Sequence, residues 1–538
     1  MKSFAAIVSA LALTICLASA DEQHHHTLSG EELGSVHFAT TCNKDVESSF
    51  NRGVALLHSF QYEKARTTFL EVSGQDPNCA MAAWGVAMTH YHGLWENGDI
   101  DAGRVAIDKA QHISIGNPRI SERERAYIAA LAEIYRTDDQ DRYTHAKAFE
   151  QKMGVLQSAY PNDMEAAIFH ALALDITAPK TDKTFTNQEK CGEILEPLFV
   201  KQPHHPGIAH YLIHCYDNPM LAEKGLNAAR AYAKVAPASA HANHMPSHIF
   251  TRVGSWDESI ASNKRSAELA TADEQYSKNG EARDQRLHAM DYLEYAELQS
   301  GRVAQAEAVF NEVSSLPQLS GLTLTGNYAM AAIPARRAME LRDWKKASAI
   351  HPLEDGVPWA RAISWMAIGI GSARSGDVDR ANQAEQKLVS LRDESKNLDP
   401  YWTKQIEVQR QEVSAWIAEQ KHKSDEALAG MRSAANLEES MDKAAVTPGP
   451  VTPAREMLAE LLAIENRPAE ALNEYEAVLK TAPNRFNAVY GAARAAEAGG
   501  NATLANEYYQ TLTNFAVGDE RPELVAARKK IVMTSEKQ

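Results

Sequence analysis

Seven histidines fall between positions 204 and 248: His204, His205, His210, His214, His241, His244 and His248. The chain holds 20 in 538 residues, so an even spread would place fewer than two there. His210 with His214 and His244 with His248 are spaced i, i+4, and 34 residues carry one pair onto the other. Residues four apart share a helix face, so each pair aims two imidazoles at one spot. Imidazole nitrogens bind zinc at about 2.0–2.1 Å and also suit copper. Two such pairs on adjacent helices supply a tetrahedral shell, which predicts a divalent transition-metal site, zinc first and copper as the alternative.

The register widens the site. Counting back 18, 15 and 11 positions from the small residues Gly225, Ser259, Ala306, Ala347 and Ala381 gives one stripe of each preceding helix. The stripe reads Gly207-His210-His214, then His241-His244-His248, then His288-Asp291-Tyr295. It continues as Ala329-Ala332-Arg336 and the apolar Ile363-Met366-Ile370; the repeat before offers Glu165-Ile168-Leu172. Ligand types are thus confined to three neighbouring repeats. His241, His288 and Asp291 could complete a second site or orient the first by hydrogen bonding to a ligand's free ring nitrogen. As a metal-dependent hydrolase, the chain would use Asp291 as base and Tyr295 as proton donor or oxyanion partner. Arg336 would anchor a substrate carboxylate, with His288 beside it. The competing reading is a scaffold that captures a peptide or partner protein, with structural metal or none, the histidines bonding one another. His58, His90, His92 and His170 lie outside the stripe or alone on it and read as packing or groove residues.

The elements that position these residues are helices. No stretch alternates as a strand does, and short polar turns interrupt the helical pattern. Ala471 recurs as Ala505, Tyr475 as Tyr509, Asn466 as Gly500 and Ala347 as Ala381, each 34 residues on. This helix-turn-helix period, with Arg467 to Pro483 as its clearest copy and Phe60 to Ala65 with Pro77 as another, resembles the tetratricopeptide repeat. The resemblance implies an all-α solenoid of roughly twelve helix pairs in a right-handed superhelix, whose first-helix stripe lines a concave groove. Pro246 and Pro334 fall inside expected first helices. Proline there removes a hydrogen bond, and a restart at Pro246 would put His244 at a helix end.

The runs His204 to Asp217, His241 to Arg252 and His288 to Tyr295 are together similar to a group of exported bacterial tetratricopeptide proteins without an assigned activity. That resemblance marks the segment as a unit and names no substrate. The chain lacks His-Glu-x-x-His, Gly-x-Ser-x-Gly and a phosphate-binding glycine loop, so zinc-protease, serine-hydrolase and nucleotide readings have no support.

Lys2, an apolar run from Phe4 to Leu17 and Ala18-Ser19-Ala20 read as a secretory signal peptide, too short to span a bilayer. Ile15 before Cys16 disfavours a lipoprotein. The expected protein is therefore periplasmic or secreted, without a membrane span. The formal net charge of −16 disfavours nucleic acid and anionic membranes as partners. Cys42, Cys79, Cys191 and Cys215 remain after cleavage; export permits disulfides, and three pairings stay open. The expected layout is a signal peptide (1–20), a tail with His24-His25-His26 (21–34) and a solenoid (35–440) holding the histidine-rich groove (204–295). A Pro-rich linker (441–453), a C-terminal repeat pair (454–523) and a tail (524–538) follow. A polar insertion from Thr177 to Asn187 marks one internal boundary.

Overall fold

In the computed structural model the described residues are 32–535, apart from 95–97, 139, 180, 276–279, 317–323, 355 and 445–446. The signal peptide and His24-His25-His26 lie outside them. Among the described residues every regular element is a helix, and the α-helices form twelve antiparallel pairs followed by a last helix, Pro522–Ser535. The chain is an all-α solenoid of tetratricopeptide-like repeats. The stretch expected as a C-terminal tail is thus mostly helical.

Small residues set the pairing. A Cβ on Gly53 would lie 2.7 Å from the Phe69 ring, and one on Gly491 would lie 2.3 Å from the Tyr475 ring, so an aromatic from one helix seats on the bare backbone of another. The turn inside a pair recurs as well. In eight pairs the second residue past the first helix is left-handed: Phe60, Gly254, Gly301, Arg342, Gly376, His422, Asn466 and Gly500. The following N–H then reaches back to the helix, as Gln61 does to Leu56 (3.0 Å) and Asn501 to Ala496 (2.9 Å), satisfying carbonyls the helix end would leave free.

Contacts between distant repeats draw the superhelix shut. Trp256 Nε1 donates to the Asn484 carbonyl (2.9 Å), Asn484 Nδ2 donates to the Gly254 carbonyl (3.1 Å), and the Val517 N–H donates to Ser300 (2.9 Å). Gly254 is required there, because a Cβ would lie 2.3 Å from the Pro483 carbonyl. On the other side Lys64 meets Asp273 at 2.9 Å. The histidine stripe therefore faces a closed interior rather than an open groove.

The described residues of the segment expected to link two units, 441–444 and 447–453, pack into that interior. Lys443 Nζ lies 2.7 Å from Asp217 Oδ2, and Tyr292 and Tyr328 donate to the carbonyls of Thr447 (2.8 Å) and Gly449 (3.0 Å). Ala444, Thr447 and Val451 are buried. A proline-containing backbone outside regular structure leaves carbonyls unpaired, and the two tyrosines satisfy two of them.

The structure pairs Cys42 with Cys79 and Cys191 with Cys215. The second bridge ties the helix Thr186–Lys201 to Pro206–Tyr216, which carries the first histidine pair.

Candidate metal centre

The four histidines expected to share one point are divided between two sets of three. His210 and His214, on the helix Pro206–Tyr216, meet His241; His244 and His248 meet His288 from the helix Glu281–Gln299. In each set the candidate ligand atoms lie within 4.8 Å of one another, and all six residues are buried. The construction rule is the same twice: an i, i+4 pair from one repeat takes its third member from the first stripe position of the next. It ends with Asp291 and Tyr295, because the following repeat offers Ala329.

Pro246 splits the helix that carries three of these residues into Ala240–His244 and Pro246–Arg252. Met245 keeps right-handed helical angles, so the two pieces continue one path and the His244 and His248 Nε2 atoms still come within 3.0 Å. The backbone near the break is partly satisfied from outside, since Ser262 Oγ donates to the Asn243 carbonyl.

The Nδ1 partners of His210, His244 and His248 define the tautomers of those three rings. His210 Nδ1 lies 2.5 Å from the His58 carbonyl, which can only accept, so Nδ1 carries the proton and Nε2 a lone pair. That Nε2 is 3.1 Å from His214 Nε2 and 3.0 Å from His241 Nε2. His244 Nδ1 donates to Asn263 Oδ1 (2.7 Å); the Asn263 amide is oriented by its Nδ2, which donates to the Ser259 carbonyl (2.8 Å). His248 Nδ1 donates to Asp217 Oδ2 (2.8 Å). His244 and His248 thus hold both Nδ1 protons on acceptors, and their Nε2 lone pairs face each other across 3.0 Å.

The electrostatics keep these rings neutral. Burial lowers the pKa of His210, His214, His241, His244 and His288 well below the usual value, and each next feels neighbouring histidines. His248 is lowered by burial too, with Asp217 pulling the other way. Burial alone would raise the Asp217 carboxyl, but Lys443, Arg252 and His248 hold it well below the carboxylate range. Two neutral imidazoles with opposed lone pairs repel unless a cation lies between them. Nitrogens bound to one tetrahedral zinc at 2.0–2.1 Å sit about 3.3 Å apart, close to the spacings seen.

The first set is roofed by Phe60, whose ring centroid is 4.4 Å from that of His210 and 5.5 Å from that of His241. Phe60 holds φ at 51°, an uncommon conformation for a bulky side chain, at the turn where most other repeats use glycine or asparagine. Below, Tyr232 stacks on His210 at 5.0 Å.

The other sequence-derived residues have partners within the chain. Asp291 Oδ1 accepts from Arg336 Nη1 at 2.5 Å, with Glu294 at 3.4 Å from the same nitrogen, all three buried. Arg336 thus meets carboxylates of its own chain, and Asp291 faces it rather than the imidazoles. Burial raises the Asp291 and Glu294 carboxyls despite Arg336. Tyr295 Oη accepts from Arg485 Nη1 (3.2 Å). His288, read either as lying beside a substrate or as completing a second site, belongs to the second set.

A third trio joins His58, Glu165 and His205, each imidazole Nε2 lying 2.9 Å from a different Glu165 oxygen. Burial would raise the Glu165 carboxyl, and His205 with His58 bring it down to about 2. This trio reads as a hydrogen-bonded network joined to Tyr211, whose hydroxyl lies 2.9 Å from His58 Nδ1, with His205 Nδ1 left without a partner.

Sequence reasoning missed Asp217, Asn263, Lys443 and the His58 carbonyl as orienting groups. Asp217 ends the first histidine run, a signal that could have found it.

No protein-family model matches the chain, and no curated protein does. Among solved structures, the human IFIT1 dimer with PPP-AAAA is similar at 12% identity and TM-score 0.35, covering 87% of this chain and 89% of that one. The human IFIT1 dimer with m7Gppp-AAAA is similar at 11% identity and TM-score 0.34, covering 82% and 91%.

Proposed function

We propose that this chain is an exported metal-binding protein that holds transition-metal ions, zinc or copper, on the two histidine sets inside its solenoid. The observation that carries the reading is the pair His244 and His248, whose Nε2 atoms approach to 3.0 Å while both Nδ1 protons are committed to Asn263 and Asp217. Support comes from the His210 Nδ1 bond to a carbonyl, since ligating histidines are oriented by such partners. Two disulfides and the N-terminal apolar run fit an exported member of the histidine-rich group. Three histidines leave a coordination position free, and an ion there would acidify a bound water. Hydrolysis is then an outcome to screen for, with Asp291 and Arg336 outside its machinery because they are bound to each other.

The test is elemental analysis of protein purified without a histidine tag. Retention of zinc or copper after dialysis, lost in the double variant His244→Ala, His248→Ala, is the expected result; a metal-free wild type that also fails to take up added zinc or copper sinks the reading. The second reading, a peptide-binding scaffold, has one observation behind it: Tyr292 and Tyr328 already grip the backbone of a proline-containing segment outside regular structure. Peptide capture without metal would favour it. The acidic balance does not test nucleic acid, so an RNA oligonucleotide belongs in the same binding screen.

A further inference from the structure

We infer that the two histidine sets act as one two-ion centre, in which a pair of transition-metal ions shares a small anionic oxygen ligand. This rests on the metal-binding reading above and deepens it.

The sets are adjacent. Ring centroids within a set are 4.8 Å apart for His210 and His214, 4.8 Å for His210 and His241, and 4.9 Å for His244 and His248. Between sets they are 6.2 Å apart for His214 and His248 and 6.3 Å for His241 and His244. The gap between sets is thus little wider than the gaps inside them. Ions in two-metal sites lie about 3.5–4 Å apart, a spacing that rings at these distances accommodate.

The repeat explains how two such sets arise side by side. His210 and His214 map onto His244 and His248 by one 34-residue step, and each pair borrows its third ligand from the next repeat. Successive repeats stack against each other, so successive sites must be neighbours.

The charge balance points to the ligand class. All six donors are imidazole nitrogens, and Asp217 sits behind His248 on its Nδ1 side. Divalent ions buried among neutral ligands need an anion, and each set leaves a position free for one. A hydroxide supplies it: one water binds between the ions and loses one proton to solvent, with no change of oxidation state. Substrates of such a centre would be small molecules that present an oxygen donor in place of that hydroxide.

The test adds copper(II) to the full, tag-free chain after metal stripping, and compares total bound copper with the electron paramagnetic resonance signal. The expected result is two equivalents per chain with a signal below about a tenth of the bound copper, because ions bridged by one oxygen couple their spins. His241→Ala and His288→Ala each dismantle one set; each should keep one equivalent, with nearly all of it visible by resonance. Both are made, and circular dichroism melting checks that each folds. Two equivalents with a full signal in the wild type would overturn the bridge while leaving metal binding intact. A single wild-type equivalent would overturn the pairing, and no uptake at all would bring down the metal reading as well.

Discussion

The interior has a histidine end and an arginine end, and the helix Glu281–Gln299 spans both. On this helix His288 belongs to the second histidine set, while one turn on Asp291 and Glu294 meet Arg336, and Tyr295 meets Arg485. At the arginine end the protein supplies both signs of charge. Arg485 lies 2.6 Å from Glu456 and 2.5 Å from Glu340, and Asn487 donates to Glu340 at 2.9 Å. At the histidine end Lys443 and Arg252 bind Asp217 on the Nδ1 side of His248. Equal burial with unequal balance sets the two regions apart: the arginine end carries both signs of charge, although Arg336 Nε and Nη2, Asp291 Oδ2 and Glu294 Oε1 lack hydrogen-bond partners, and the histidine end is the one to which the proposed metal reading assigns a charge from outside.

The largest expected effect breaks the arginine end. Arg336→Met leaves Asp291 and Glu294 buried without their cation, which costs about 3–5 kcal/mol at neutral pH by urea denaturation. The loss should shrink as pH falls, because both carboxyls are already raised and protonation removes the charge. In metal-free protein His244→Gln should cost only about 1–2 kcal/mol, since it removes neutral hydrogen bonds. Equal costs for the two variants would mean that the histidines are an internally balanced network after all.

Next comes pH. Each of the six histidines has a folded pKa below its unfolded value, chiefly through burial. Such a group contributes stability that is present above the unfolded value of about 6.5 and is lost as pH falls from there toward the folded value. Half-buried Asp175, Glu281 and Glu438, raised to about 7, act with the opposite sign: their contribution is present at low pH and lost as pH rises through 7. The histidine share is therefore read as a difference. Against a double variant His210→Gln, His244→Gln, the metal-free wild type should lose relative stability by about 1.4 kcal/mol per pH unit for each replaced histidine below pH 6.5. A difference independent of pH would contradict the neutral-ring assignment.

A smaller effect sharpens the comparison at its orienting groups. Asp217→Asn keeps the size of the side chain and removes the charge that receives the His248 Nδ1 proton, so zinc affinity by competition with a chelator should fall about 10–100-fold. No change would show that His248 is oriented by packing alone.

Much of the frame was legible because it repeats. The 34-residue interval at Ala471, Tyr475 and Asn466 reflects one small-residue contact, one aromatic seat and one left-handed turn, and the structure uses each of them. The stripe register identified histidines that prove to be buried together. The division into two trios was not legible, since it depends on which neighbouring stripe comes closer, a consequence of how the helices stack. Arg336 read as a free anchor because a sequence does not reveal that Asp291 and Glu294 face it. The segment 441–453 read as a linker because proline and glycine mark linkers and packed irregular chain alike. Its partners Tyr292, Tyr328 and Asp217 are more than 100 residues away.

The smallest expected effect concerns that segment. Tyr292 donates to the Thr447 carbonyl at 2.8 Å, and its ring stacks on His248 at 4.8 Å. Tyr292→Phe keeps the ring and deletes the hydroxyl, so the histidine packing stays and one buried carbonyl loses its donor. The expected cost is about 1 kcal/mol of stability, the net value of one hydrogen bond in a buried place. Because the Lys443–Asp217 pair still holds the segment, metal capacity should be unchanged. Backbone hydrogen exchange around Thr447 should speed up, and so should zinc uptake, since the segment covers the histidine end. If exchange quickens while uptake does not, ions reach the histidines by another route, and the covering role passes to the Phe60 side.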